Sequence, residues 1–306
     1  MLMTEPVNRA QQLYCLEKIT GLPLPLSVAL YRHYPGMKLG QMPLVDFFSR
    51  ELALLAADIM RNDVAPSGPG WVITAPAYYS LPSAANLLAR QVCKLLLQWG
   101  HRVDLIEPRL NQQQIAVSNL AEFRQSNDYS KNPSQTRMAE RQRVHALAGK
   151  DTQMSAFRHR RVMIINDIHV TGTQQKFMQA AMQDASASET HWLYIFHVEQ
   201  GLAQQHPEIE FQINSNGITG LDSFAAILAD EQTQYTTRCL ARLFSEEIED
   251  YRYLIGALQA GTREKILQLA QAEGRYNHSI FAEKMQLLSA RHVQMAEKQT
   301  MEKEEG

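Results

Sequence analysis

The stretch VMIINDIHVTGTQ, residues 162–174, decides how this chain is expected to fold. It opens with a short apolar run at 162–165, which is typical of a strand buried on both faces. Two polar residues, Asn166 and Asp167, follow the run. A turn with a glycine between two threonines then leads into a helical pattern at 173–185. The order of strand, polar step, glycine turn and helix predicts half of a βαβ unit.

The turn in this stretch carries groups that can bind an anion. Gly172 lets a ligand approach the backbone closely, because it has no side chain. The hydroxyls of Thr171 and Thr173, with the free amides at the helix start, can donate hydrogen bonds to a phosphate. Asp167 can accept from sugar hydroxyls or contact Mg²⁺. The alternative interpretation is an ordinary strand-to-helix turn without a ligand.

Further strands and helices alternate on both sides of this unit. Strands are predicted at 71–75, 102–106 and 192–198, and helical patterns at 45–60 and 85–96. Such alternation predicts an α/β fold, a doubly wound parallel sheet with right-handed crossovers and helices on both faces. Ligands of such sheets bind at the carboxyl ends of the strands.

The pattern divides the chain into four segments. Residues 1–70 are predicted to form an N-terminal helical segment that packs on the core, and residues 71–215 the α/β core itself. A nearly continuous helical pattern predicts a C-terminal cap at 216–296. The polar tail at 297–306 is expected to fray from the last helix.

The composition predicts a folded cytoplasmic protein. Hydrophobic residues make up 45% and charged residues 20% of the chain, which argues against disorder. A formal net charge of -2 offers no cationic field, so no nucleic-acid partner is expected. Cys15, Cys93 and Cys239 form no paired motif, which favours a reducing compartment. No apolar stretch predicts a signal peptide or a membrane span.

The 162–174 stretch resembles the signature of the type I phosphoribosyltransferases, which runs four apolar residues, two acids, two apolar or small residues, Thr-Gly, and a Thr or small residue. By this resemblance the three turn residues would hold the 5-phosphate of phosphoribosyl pyrophosphate. Asp167 would bind a ribose hydroxyl, take part in catalysis and hold the Mg²⁺ cofactor. The implied phosphate and ribose site comprises Asn166, Asp167, Val170, Thr171, Gly172, Thr173 and Gln174.

Two positions depart from what the resemblance implies. Asn166 stands where the family usually has its first acid, and an amide adds no negative charge to stabilise a cationic sugar. Val170 lies near the place where members acting on oxopurines have an acid for proton transfer, which valine cannot perform.

The loop at 75–82 follows the first predicted strand, at the position where the family wraps pyrophosphate with backbone amides. The resemblance implies pyrophosphate contacts from Ala77, Tyr78, Tyr79 and Ser80. The alternative is a plain turn with two packing tyrosines, since the loop has no basic residue and no pair of glycines.

The long polar connection before residue 162 contains a segment at 128–141 that resembles the mobile catalytic loop of the family. Lys131, Arg137 and Arg141 are the basic residues expected to close over pyrophosphate and exclude water. The alternative is a solvated helix start with Arg and Glu at ion-pair spacing.

The resemblance implies an enzyme that transfers phosphoribosyl to a nitrogenous base and releases pyrophosphate. Two other hypotheses stay open: a protein that senses phosphoribosyl pyrophosphate or a nucleoside 5-monophosphate without turnover, and an assembly subunit with a vestigial site. A homodimer is also considered. The aromatic N-terminal segment and the helical tail resemble phosphoribosyltransferase-like proteins of tellurite-resistance and stress operons.

Overall fold

In the computed structural model, five parallel strands form one sheet. The structure describes residues 12–62, 70–110, 119–127, 152–206, 208–218 and 220–290. The strands are β1 (Gln12–Ile19), β2 (Trp71–Thr74), β3 (Val103–Leu105), β4 (Arg161–His169) and β5 (Glu189–Val198). The helices before β5 are α1 (Ala29–Leu39), α2 (Met42–Arg61), α3 (Ala84–Gln98), α4 (Leu120–Asn127), α5 (Thr152–Ser155) and α6 (Thr173–Asp184).

The helices after β5 are short and lie close together in the chain. They are α7 (Gln200–Gln205), α8 (Ile209–Asn214), α9 (Leu221–Ala229), α10 (Thr237–Ser245), α11 (Ile248–Gly256), α12 (Ala260–Glu273) and α13 (Ala282–Ser289). Two 3₁₀ turns, Arg275–Asn277 and Ser279–Phe281, join α12 to α13.

The strand order is β1-β5-β4-β2-β3, and every pairing is parallel. Helix α3 connects β2 to β3 and packs on one face of the sheet, whereas α6 connects β4 to β5 and packs on the other. The predicted α/β fold, a parallel sheet flanked by helices, is confirmed. A sheet buried on both faces also explains why its central strands are almost uniformly apolar.

Strand β4 is longer than the apolar run that predicted it. The apolar pattern ends at residue 165, but the strand continues to His169 because its backbone goes on pairing with β5. Asn166 pairs in register with Tyr194, and Ile168 with Phe196. Asn166 and Asp167 therefore lie within the strand, on opposite faces of the sheet.

Strand β1 was not predicted, since residues 1–70 were expected to be helical. Among the described strands it forms an edge of the sheet and pairs with β5 alone, from Gln12 opposite His191 to Ile19 opposite Val198. Most of its side chains are only half-buried. An edge strand of mixed polarity leaves a weak pattern in the sequence.

Separate apolar clusters cover the two faces of the sheet. One face packs against α1, α2 and α3, and the other against α6 and the segment before β4. The first cluster includes Tyr34, Phe48, Leu88, Met163, Ile165 and Leu193, and the second includes Phe157, Val162, Ile164, Met182, Trp192 and Tyr194.

The helices from α9 onward form a third cluster with its own aromatic centre. Phe244 stacks on Tyr276 with a 4.1 Å separation of ring centroids, and Phe281 packs edge-on against both. Phe123 of α4 is buried in the same cluster. We call the residues 220–290 the cap.

A close backbone contact joins the cap to the sheet domain at Gly40, directly after α1. Gly40 has φ +96°, and a Cβ atom there would lie 1.9 Å from the backbone oxygen of Gln234. Next to this contact, the Thr236 hydroxyl donates a 2.8 Å hydrogen bond to the carbonyl of Lys38. The end of α1 is therefore fixed to the cap. Within the described residues, no helix combines the length and apolar character needed to cross a membrane.

We predict that Gly40→Ala lowers the free energy of unfolding by at least about 2 kcal/mol, because alanine is strained at this positive φ and its Cβ overlaps the Gln234 carbonyl. Gly201→Ala is the matched control. Gly201 lies in α7, where a Cβ atom would have no neighbour within 4 Å, and alanine there should change stability by no more than about 1 kcal/mol. Urea denaturation measures both, and equal effects would contradict the close-contact interpretation.

Candidate functional site

The topology of the sheet places its switch point at the carboxyl ends of β2 and β4. From β2 the chain moves outward to the edge strand β3, and it returns on the other side of β2 to form β4. Adjacent strands whose connections run in opposite directions mark the switch point at which open α/β sheets bind ligands. The loops at 75–82 and 170–173 leave the sheet at this point.

The turn at 170–173 has the geometry of an anion-binding helix start. Gly172 has φ +69° and immediately precedes the 12-residue helix α6. A Cβ at Gly172 would lie 3.0 Å from Nε2 of His169, so the backbone passes close over this ring. The Thr171 and Thr173 hydroxyl oxygens are 3.0 Å apart, and Thr171 is exposed. The two hydroxyls and the helix amides thus point to one place for a phosphate.

The two polar residues of β4 have different partners because they face opposite sides of the sheet. The Asn166 amide donates a 3.1 Å hydrogen bond to Oε1 of Gln174, at the start of α6. Val170 is buried and contributes no polar side chain. Asn166 and Gln174 therefore hold the strand against the helix that follows the turn.

Asp167 is paired with a lysine that the sequence pattern did not reveal. The Lys38 ammonium of α1 donates a hydrogen bond to the Asp167 carboxylate, and the two side chains are 12% and 13% exposed. The backbone amide of Ile168 donates a further 2.9 Å bond to Asp167. Burial alone raises the pKa of Asp167, but the Lys38 charge and these hydrogen bonds hold it below its ordinary value.

The surroundings of Lys38 are also unusual for a lysine. Its ammonium lies 4.0 Å from Oε1 of Glu210 in α8 and 5.5 Å from the centre of the Tyr34 ring. Burial, followed by the charge of Asp167, raises the pKa of Tyr34 well above its ordinary value, so this phenol stays neutral. The sequence did contain a sign that Lys38 has a buried partner. Tyr31, Tyr34 and Lys38 have the spacing of one helix face, and a lysine on an otherwise buried face needs a partner.

His169 ends β4 directly beneath the turn. Its Nδ1 is 3.0 Å from Nδ1 of His197, the residue opposite it in β5. Burial and the neighbouring His197 lower the pKa of His169 to about 4. A neutral imidazole at neutral pH supports the turn sterically without adding charge to it.

The loop at 75–82 carries one of its two tyrosines inward. Tyr78 is buried, its hydroxyl accepts from Arg90 and its ring lies 3.8 Å from the guanidinium carbon of Arg109. Arg109 also donates to the carbonyl of Tyr79 at 3.2 Å. Ala77 is half-buried. The geometry at Tyr78 is that of a packing residue.

Two backbone amides of the same loop are bound to the cap. The amides of Ser80 and Leu81 donate to Oε2 of Glu273 at 3.3 and 2.8 Å. Glu273 is 1% exposed, and its second oxygen accepts from Arg275 at 2.9 Å. A carboxylate of the protein therefore occupies amides of the loop that was expected to contact pyrophosphate.

The remaining predictions concern the basic residues of the 128–141 segment and the magnesium ligand. Lys131, Arg137 and Arg141 lie outside the described residues. Among those that the structure describes, no group of three or more His, Cys, Asp or Glu side chains could hold a metal ion. Asp167, the predicted Mg²⁺ ligand, already has its charge balanced by Lys38. These side chains do not by themselves make a magnesium site.

The comparison with known protein families gives one clear result. A family model described as PRTase ComF-like matches residues 10–288, which includes the sheet, the turn and nearly all of the cap. The comparison with curated proteins found no match.

We predict that Glu273→Ala lowers the free energy of unfolding by about 3 kcal/mol, because it removes the acceptor shared by two loop amides and the Arg275 guanidinium. Glu264→Ala, on the exposed side of the same helix, is the control and should change stability by less than about 0.5 kcal/mol. Urea denaturation again provides the measurement. If the Glu273→Ala protein were as stable as the control, the hydrogen bonds of Glu273 to the 75–82 loop and to Arg275 would not contribute to stability.

Proposed function

Because the chain belongs to the PRTase ComF-like family, we propose that it binds phosphorylated ribose, as a nucleoside 5-monophosphate or a related sugar phosphate, without turning it over. The observation that carries the proposal is the turn at 170–173. It combines a left-handed glycine, two hydroxyls 3.0 Å apart and the start of a 12-residue helix at the switch point of the sheet. Such a helix start holds a phosphate with neutral donors.

The neighbouring loop supports a ligand with a single phosphate site. In a transferase, the pyrophosphate leaving group needs donors of its own where its charge develops. Here Glu273 accepts from the Ser80 and Leu81 amides. A second anion at these amides would have to displace the buried Glu273 carboxylate and leave its Oε2 without the two amide partners, which is costly.

The polar residues of β4 support binding over bond cleavage. Departure of pyrophosphate leaves positive charge on the sugar, which a carboxylate would stabilise. Asn166 is neutral, and the Asp167 charge is balanced by Lys38. The site therefore has little net negative charge to offer that transition state, although its donors suit the ground state of a sugar phosphate.

A second candidate function is transfer of phosphoribosyl to a nitrogenous base, with pyrophosphate as the leaving group. The family match favours it, because it relates the chain to phosphoribosyltransferases over nearly its whole length. Asp167 is the residue that would serve this reaction, provided Lys38 moved away from it.

Replacing Thr171 tests the binding proposal. Thr171→Val removes one hydroxyl from the phosphate and should weaken binding of AMP or ribose 5-phosphate by about 1.5 to 3 kcal/mol, which is a factor of about 10 to 150. Thr262→Val, in cap helix α12, should bind like the wild type. Isothermal calorimetry measures both. No heat and no thermal stabilisation of the wild type by either ligand would refute the proposal.

Pyrophosphate release distinguishes the two functions. We expect no steady release from phosphoribosyl pyrophosphate with any of a panel of purine, pyrimidine and other nitrogenous bases. Asn166→Asp should leave ligand affinity within about tenfold of the wild type. Steady release by the wild type that Asp167→Asn abolishes, in a variant shown by circular dichroism to be folded, would establish the transferase instead.

A further inference from the structure

The ammonium of Lys38 has donors left over after its contact with Asp167. A lysine carries three N–H donors, and among the described residues Asp167 is the one side chain within hydrogen-bond distance. Glu210 is 4.0 Å away, close enough for attraction but too far for a hydrogen bond. A buried ammonium with unused donors is in a position to bind a further oxygen-rich group.

Lys38 contacts Asp167 near the carboxyl end of β4, the strand that leads into the proposed phosphate turn. Asp167 precedes Val170 by three residues of extended strand, about 10 Å, which is of the order of the length of a small sugar phosphate. A ligand with its phosphate on the turn can therefore reach towards Asp167 and Lys38 with its hydroxyls. Their side chains are 12% and 13% exposed, so the pair is not completely buried.

The same pair disfavours a divalent cation. Mg²⁺ is held in proteins by one or two carboxylates with waters and substrate oxygens. The carboxylate available here already bonds to a fixed positive charge, and a second cation beside Lys38 would be repelled. Glu210, the next nearest carboxylate, faces the same ammonium.

We propose that Lys38 is the fixed cation of this site: it binds the sugar oxygens of the ligand together with Asp167 and makes binding independent of Mg²⁺. The proposal rests on the proposed function, since it concerns the same ligand. It differs from the expectation drawn from the sequence, in which Asp167 held Mg²⁺.

The test compares ligand affinity with and without the ion. Ribose 5-phosphate is the probe, because it has no diphosphate that would itself chelate Mg²⁺. Calorimetry on the full chain, in millimolar MgCl₂ and in EDTA, should give wild-type affinities that differ by less than about threefold. A loss of more than about tenfold in EDTA would overturn the proposal.

Variants of Lys38 provide the second readout. Lys38→Met keeps the apolar stem and frees the Asp167 carboxylate, so binding should weaken by about tenfold or more in EDTA and recover in part with MgCl₂. Lys38→Arg keeps the charge and should stay independent of the ion. Lys18→Met, an exposed lysine in β1, is the control with the same loss of charge and should match the wild type.

A further variant keeps the test decisive if Lys38→Met fails to fold. The double variant Lys38→Met/Asp167→Asn removes both charges of the Lys38–Asp167 pair, so neither of these two charges is left buried without the other. It should fold, bind about tenfold more weakly than the wild type and ignore MgCl₂. Wild-type affinity in a folded double variant would overturn the role of Lys38. If neither the wild type nor any variant bound ribose 5-phosphate, in MgCl₂ or in EDTA, the proposed function would fail, and this inference would fail with it.

Discussion

The buried ion pair between Lys38 and Asp167 is the interaction on which the rest of the site depends. It joins α1 to the carboxyl end of β4, and the two residues are 129 positions apart in the sequence. The Lys38 carbonyl accepts from Thr236 of the cap, so one residue contacts both the sheet and the cap. Removing one member of such a pair costs about 3 to 5 kcal/mol, since a charge remains buried without a partner. The pair therefore fixes α1, the cap and the strand end in one arrangement.

How far the sequence predicts this molecule depends on how local each feature is. The turn around Gly172 and the central strands follow from residues close together in the chain, and the parallel sheet was correctly predicted from them. The partners of Asp167 and of the Ser80 amide are 129 and 193 residues away. No spacing rule identifies such contacts. Strand β1 was missed for a related reason, because an edge strand is specified by its single neighbour and carries a weak pattern of its own.

The two loops at the switch point use their backbone amides in different ways. At Ser80 and Leu81 the donors bind Glu273 and hold the cap on the sheet. At the start of α6, the Thr171 side chain remains exposed and bonds only to the neighbouring Thr173 among the described residues. Groups that can donate hydrogen bonds to an anion therefore have a structural partner in one loop, whereas in the other loop the Thr171 hydroxyl lies at the surface. If the proposed ligand binds at the turn, stability and ligand binding depend on different loops at one edge of the sheet.

The charges around the turn favour a bound, unreacted ligand. A phosphate carries up to two negative charges, and acids beside it would repel it. Here Asn166 is neutral, Lys38 balances Asp167, and burial keeps His169 uncharged at neutral pH. Phosphate binding at this turn would then rest on hydroxyl and amide donors and on the helix dipole, which is equivalent to about half a charge. This low local charge suits binding of an intact sugar phosphate. Cleavage of the bond between C1 and pyrophosphate would need negative charge beside the sugar. Asn166 carries no such charge, and the charge of Asp167 is balanced by Lys38.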